Sequence, residues 1–181
     1  VYNRLGGFSK MRFGEDIDFS IRIFKAGCSC RLFPESWVWH KRRTDFRKFF
    51  RQVYNSGIAR INLYKKYPES LKLVHLLPMV FTVGVVLLVL LSAAGRLLMQ
   101  YDDVHRWYWF CAGPWIPILA YSLLILVDST CRNRSLKIGF ESILASFVQL
   151  MGYGCGFIEA WWKRCVMGKD EFSAFEKTFY K

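Results

Sequence analysis

Glu15, Asp16 and Asp18 place three carboxylates within four positions, directly after Gly14 and directly before an apolar helical pattern. A glycine turn leading into a helix leaves Glu15 and Asp16 in the first turn. There the free backbone N–H groups and the positive end of the macrodipole favour ionised carboxylates. A carboxylate so placed can act as a general base or grip a polar ligand. Acids in a first turn are also ordinary helix-start chemistry, so the stretch by itself favours the plainer reading. A second cluster is His40-Lys41-Arg42-Arg43, an imidazole and three cations in a row. A neutral imidazole can ligate a metal and arginines can hold phosphate oxygens. A surface histidine beside a solvated basic loop is the equal alternative.

The elements that must position these groups follow from periodicity. Gly6-Gly7 is a turn signal, with Phe8 and Phe13 bracketing a short polar loop. Asp16 to Ala26 carries Ile17, Ile21 and Phe24 at helical spacing, and Gly27 sits where a left-handed residue ends a helix. Cys28 to Phe33 and Trp37 to His40 read as two short strands separated by a turn at Pro34, so His40 is expected at a strand end. Thr44 and Asp45 can start a helix on which Phe46, Phe49, Phe50, Val53, Tyr54, Ile58 and Ile61 share one stripe. The basic residues fall mainly outside that stripe, which suits a helix in a membrane interface or one packed on a globular core. Gly57 inside it marks a kink or a close approach by a ligand or a neighbouring helix.

Residues 73–95 contain no Asp, Glu, Lys or Arg, enough length for a membrane span. A second span is expected over about 107–127, opening with Trp107, Tyr108 and Trp109 and containing Pro114 and Pro117. A third apolar run, about 140–158, carries Gly152-x-x-x-Gly156, which lets a helix pack closely on a neighbour. It either crosses, lies in the interface or re-enters, and a third packed membrane helix is the favoured reading. Trp161-Trp162 then begins a polar tail over 163–181. The net charge is +12, and residues 1–75 hold 16 Lys/Arg against six Asp/Glu. A basic body before apolar runs fits an anionic membrane face or phosphate-bearing ligands. Nucleic acid is not expected, for no nucleic-acid motif accompanies the charge. Arg132, Arg134 and Lys137, after the second span, put that link on the side of the basic body, the cytoplasm by the positive-inside rule. The six cysteines include no Cys-x-x-Cys pair, so buried free thiols are expected rather than zinc.

Gly6-Gly7-Phe8, Gly14-Glu15-Asp16-Ile17-Asp18-Phe19-Ser20-Ile21-Arg22 and Ala26-Gly27 together resemble the carboxyl half of a membrane-bound family 2 glycosyltransferase. In that family a GGF-type turn precedes an E-D-x-D helix that ends at glycine. The Phe-rich helix with Gly57-Ile58-Ala59-Arg60 and the following apolar helices extend the likeness. The resemblance implies an α/β fold for residues 1–43, the carboxyl portion of a GT-A, Rossmann-like domain. An amphipathic helix over 44–68 and two to three transmembrane helices over 69–162 would follow. It implies inverting transfer from a nucleotide-diphosphate sugar to a saccharide or lipid-linked hydroxyl acceptor, with a divalent metal (Mg or Mn). Asp16 would be the base and Glu15 its helper. Gly6, Gly7 and Phe8 would floor the acceptor site, His40 would contact the metal, and Arg42 and Arg43 would steady the pyrophosphate.

Two departures narrow the expectation. No nucleotide-binding βαβ unit or D-x-D motif precedes Gly6, so these residues alone are expected to be an inactive part of a longer enzyme. Gln52 is followed by Val-Tyr-Asn with no Arg-Trp pair, unlike processive synthases, which points to single-sugar transfer. The expected location is the cell membrane, with the catalytic part cytoplasmic and membrane lipid as a partner. The competing reading is a non-catalytic membrane-anchored scaffold whose basic body binds lipid or a partner protein.

Overall fold

The computed structural model describes residues 1–40, 45–98, 108 and 111–175. The helices are α1 (Glu15–Lys25), α2 (Phe46–Lys66), α3 (Leu77–Leu98), α4 (Ile116–Asn133), α5 (Leu136–Trp161) and α6 (Glu171–Phe175). Among the described residues there is no strand, so the α/β expectation is wrong for this chain. The two stretches taken for strands are irregular, and residues 29–40 are exposed throughout. Their aromatic and β-branched residues have the right composition, and Trp37 and Trp39 meet edge to face, but no neighbouring strand supplies a hydrogen-bonding ladder. Without one, β propensity alone does not make a sheet. His40 therefore lies in an exposed irregular segment and not at a strand end. Lys41, Arg42, Arg43 and Thr44 lie outside the described residues, as do Trp107 and Trp109.

α1 begins on Gly14, whose φ of +85° is a left-handed conformation that glycine adopts without penalty. It ends as Gly27 implied: Gly27 N bonds to Phe24 O and Cys28 N to Ile23 O, the paired bonds of a Schellman motif. Asp45 itself caps α2, its carboxylate accepting from Arg47 N at 2.7 Å. The amino half of α2 leaves Phe46 and Phe50 exposed, while its carboxyl half buries Ile58, Ile61 and Leu63.

Three helices are long and apolar enough to cross a membrane, over Leu73–Leu97, Gly113–Asn133 and Leu136–Val166. Pro114 and Pro117 do not interrupt the second. Pro114 lies in the turn before α4 and Pro117 in its first helical turn, where a missing N–H costs little. α5 is the organising helix, and its glycines set the packing. A Cβ on Gly152 would come within 2.6 Å of Val53 in α2, and one on Gly156 within 2.8 Å of the Tyr54 carbonyl carbon. From the other side, a Cβ on Gly57 would lie 2.7 Å from the Phe157 nitrogen. The expected close approach at Gly57 and at the Gly-x-x-x-Gly step is thus one contact, helix α2 against helix α5.

That contact holds a core of Ile58, Ile61, Phe157 and Ala160, with Leu76 and Met79 from the start of α3 packed against it. The chain's tail closes the core. Ala174 and Phe175 of α6 are buried in the same cluster, and Glu171 Oε1 accepts from the Arg12 backbone at 3.2 Å. Burial pushes the Glu171 carboxyl up despite that bond. The thiols are free, as expected, but they are not buried: Cys30, Cys131 and Cys165 are exposed.

Candidate functional site: a cleft at the start of α1

The three carboxylates separate into two jobs. Asp18 points inward and is fully buried. Arg22, one helical turn on, pairs with its Oδ2 at 2.9 Å, an i,i+4 spacing that puts both on one face. Lys66 at the end of α2 donates to Oδ1 at 2.5 Å, and the Tyr67 hydroxyl to the same atom at 3.0 Å. Burial would raise this carboxyl, but the bonds from Lys66, Tyr67 and Arg22 outweigh it and hold it below its ordinary value. Asp18 in turn, against the cost of burial, holds the Lys66 ammonium above its usual range.

Arg22 also fixes the Gly-Gly-Phe turn. Its guanidinium donates to Leu5 O at 2.6 Å and Gly7 O at 2.5 Å. Phe8 packs edge-on against Tyr2 and lies 5.2 Å from the Phe19 ring centre. The turn is therefore braced against α1 through backbone carbonyls, and Gly6, Gly7 and Phe8 do not line the cleft described next.

Glu15 and Asp16 face outward, into a cleft of about 550 Å³ between the start of α1, the middle of α2 and Tyr153 of α5. That volume lies within the range of small-ligand sites. Asp16 Oδ1 accepts from Ile17 N at 2.9 Å, so the helix start orients the carboxylate, and its other oxygen has no hydrogen-bond partner among the described residues. Two cations, Arg12 and Arg60, line the same space and balance the two carboxylates. Gln52, Asn55 and Ser56 add neutral donors and acceptors, and Phe13, Ala59 and Leu63 give an apolar wall. A Cβ on Gly14 would lie 3.3 Å from Leu63 and 3.4 Å from Ala59, so the glycine brings the carboxylates close against α2.

The α2 wall was not anticipated from sequence, although its signal is present. Gln52, Asn55, Ser56, Ala59, Arg60 and Leu63 recur every three or four residues, a mixed polar stripe beside the apolar one. Tyr153, in an apolar segment about a hundred residues downstream, has no comparable signal.

Among the described residues no three His, Cys, Asp or Glu side chains converge, and His40 is exposed and does not line the cleft. Chemically, the cleft offers carboxylates that can accept a proton, cations, amides and a hydroxyl that can bond a polar ligand, and an apolar wall. In comparisons with known proteins, no family model, no curated protein and no solved structure matches this chain.

Proposed function

We propose that the chain carries the acceptor-binding part of a membrane-bound glycosyltransferase, one that moves a single sugar from a nucleotide-diphosphate sugar to a hydroxyl acceptor at the cytoplasmic face of the cell membrane. One observation supports this reading above the others. The outward carboxylates of the E-D-x-D helix open into a cleft whose polar groups suit a saccharide, beside a helix apolar enough to lie in lipid. In the proposed step Asp16 takes the acceptor hydroxyl's proton as that oxygen attacks the anomeric carbon, and the nucleoside diphosphate leaves with the bonding pair. Glu15 orients the acceptor, Gln52, Asn55 and Ser56 bond its hydroxyls, and Phe13 packs on its C–H face. The diphosphate falls to Arg42 and Arg43, outside the described residues.

Asp16→Asn tests the base. In membranes carrying the gene product, transfer of labelled sugar from nucleotide sugars to endogenous acceptors should fall roughly 100- to 10,000-fold. Thermal stability should not change, because Asp16 is exposed and the internal ion pairs belong to Asp18. Wild-type turnover in Asp16→Asn would remove Asp16 from the mechanism.

A non-catalytic scaffold is favoured by a different observation: Arg47, Lys48 and Arg51 on α2 are all exposed. On that reading, changing the three to glutamine weakens retention of anionic lipid by about 1 kcal/mol per cation, and Asp16→Asn has no phenotype. Mass spectrometry of lipid bound to the detergent-purified chain measures the first effect. Unchanged lipid retention would count against the scaffold.

A further inference from the structure

Three helices have the length and composition to cross a bilayer, yet the contacts do not accommodate three crossings. The tail is fastened to the amino-terminal body: Glu171 bonds to the Arg12 backbone, and Phe175 is buried in the same cluster as Ile58. Body and tail therefore occupy one side of the membrane, and the number of crossings between them must be even.

α3 and α4 form an antiparallel pair. Near the start of α3 the Phe81 ring meets Tyr121, well inside α4. Near the other end of α3 Ser92 meets Trp115, whose indole N–H donates to the Ser92 hydroxyl at 2.8 Å. α4 accordingly returns to the side from which α3 departs. These two helices already make an even number.

α5 then packs on both of them, and the Ser129 and Ser142 hydroxyls meet at 2.7 Å where it leaves α4. A Cβ on Gly139, near the start of α5, would lie 2.9 Å from Leu126 in the returning half of α4. A Cβ on Gly154, four turns further on, would lie 2.5 Å from the carbonyl of Pro78, at the entry of α3. Its middle residue Phe147 packs on Phe81, eight residues into the first apolar segment, a depth of roughly 12 Å, and on Tyr121 inside α4.

We propose that α5 does not complete a crossing of the bilayer but runs obliquely on the body side, bridging the entry of α3 and the exit of α4. Lys137 and Glu141 pair at its amino end and Trp161 and Trp162 are exposed at its carboxyl end, so both ends suit headgroup level, with Phe140 and Leu144 exposed to acyl chains between them. The partner of this surface is the lipid of that leaflet. The inference is independent of any catalytic reading.

Three exposed native cysteines report the topology. Cys30 lies in the body, Cys131 at the returning end of α4, and Cys165 just beyond α5. In full chains keeping one of the three, with the other cysteines changed to serine, a membrane-impermeant maleimide is applied to sealed vesicles of known orientation. All three thiols should react from the same face. Reaction of Cys165, or of Cys131, from the face opposite to Cys30 overturns the proposal. Where a thiol is silent from both faces, a carboxyl-terminal epitope on the otherwise unaltered chain decides by antibody access. Access from the body's face supports the placement, and access from the opposite face overturns it.

Discussion

Gly57→Val should detach α2 from α5 and cost about 3 kcal/mol or more, the upper end for forcing atoms into a closed contact. At this position the obstacle is backbone. A Cβ would collide with the Tyr153 carbonyl oxygen and lie 2.7 Å from the Phe157 nitrogen. Main chain cannot rotate out of the way as a side chain does, and α5 is held on its other faces by Thr82 and Leu126. Relief must come from separating the helices, which uncovers Ile58, Ile61 and Phe157 together. Gly84→Ala is the matched control, because a Cβ there meets nothing within 4 Å. Melting temperatures of the detergent-purified variants should rank Gly57→Val lowest, Gly57→Ala next and Gly84→Ala near wild type. Equal values for Gly57→Val and Gly84→Ala would mean the two helices do not touch there.

The second large effect belongs to Asp18. Asp18→Ala leaves Arg22 and Lys66 facing one another without their shared anion, and removing one partner of a buried pair costs about 3–5 kcal/mol. Lys66→Met should cost less, since Lys66 is 42% exposed and Arg22 and Tyr67 still hold the carboxylate. The pH dependence has a definite sign. The folded carboxyl titrates below its unfolded value, so the native state binds fewer protons than the unfolded state between the two. The stabilisation is complete above the unfolded value, about pH 4, and is lost as pH falls through the folded one. Unfolding free energies from denaturant titrations between pH 3 and 7 should decline toward the acid end. In Asp18→Asn that part of the decline should vanish. An unchanged acid limb in Asp18→Asn would assign it to other carboxylates.

What could be read from the sequence follows from which interactions are local. The start of α1 at Gly14, its end at Gly27 and three long apolar helices depend on a few neighbouring residues and are found, though the second helix runs Gly113–Asn133 and not over about 107–127. Gly57 and the Gly152-x-x-x-Gly156 step were legible as places of close approach, because a missing side chain inside a helix asks for an explanation. Which helix approached was not. The strands failed because a strand is completed by its partner, and Cys28–Phe33 has none among the described residues. The site was half legible. Asp16 and Glu15 could be picked out as acids in the first turn of a helix, but Asp18 looked the same. Its partners Lys66 and Tyr67 stand 48 and 49 residues away, where spacing carries no information. The polar stripe on α2 was masked by the stronger aromatic stripe beside it.

The cluster that joins Ile58, Ile61 and Phe157 to Phe175 also sets an order of events during synthesis. α1 and α2 are made before α5 and α6, which form one wall and the lid of the core. Until those two have emerged, Ile58 and Ile61 are covered only in part, by Phe13, Leu71, Leu76 and Met79. The amino-terminal residues therefore wait on the carboxyl-terminal ones. Tyr153 follows α1 and α2 in the chain, so the cleft is not complete until α5 has been made.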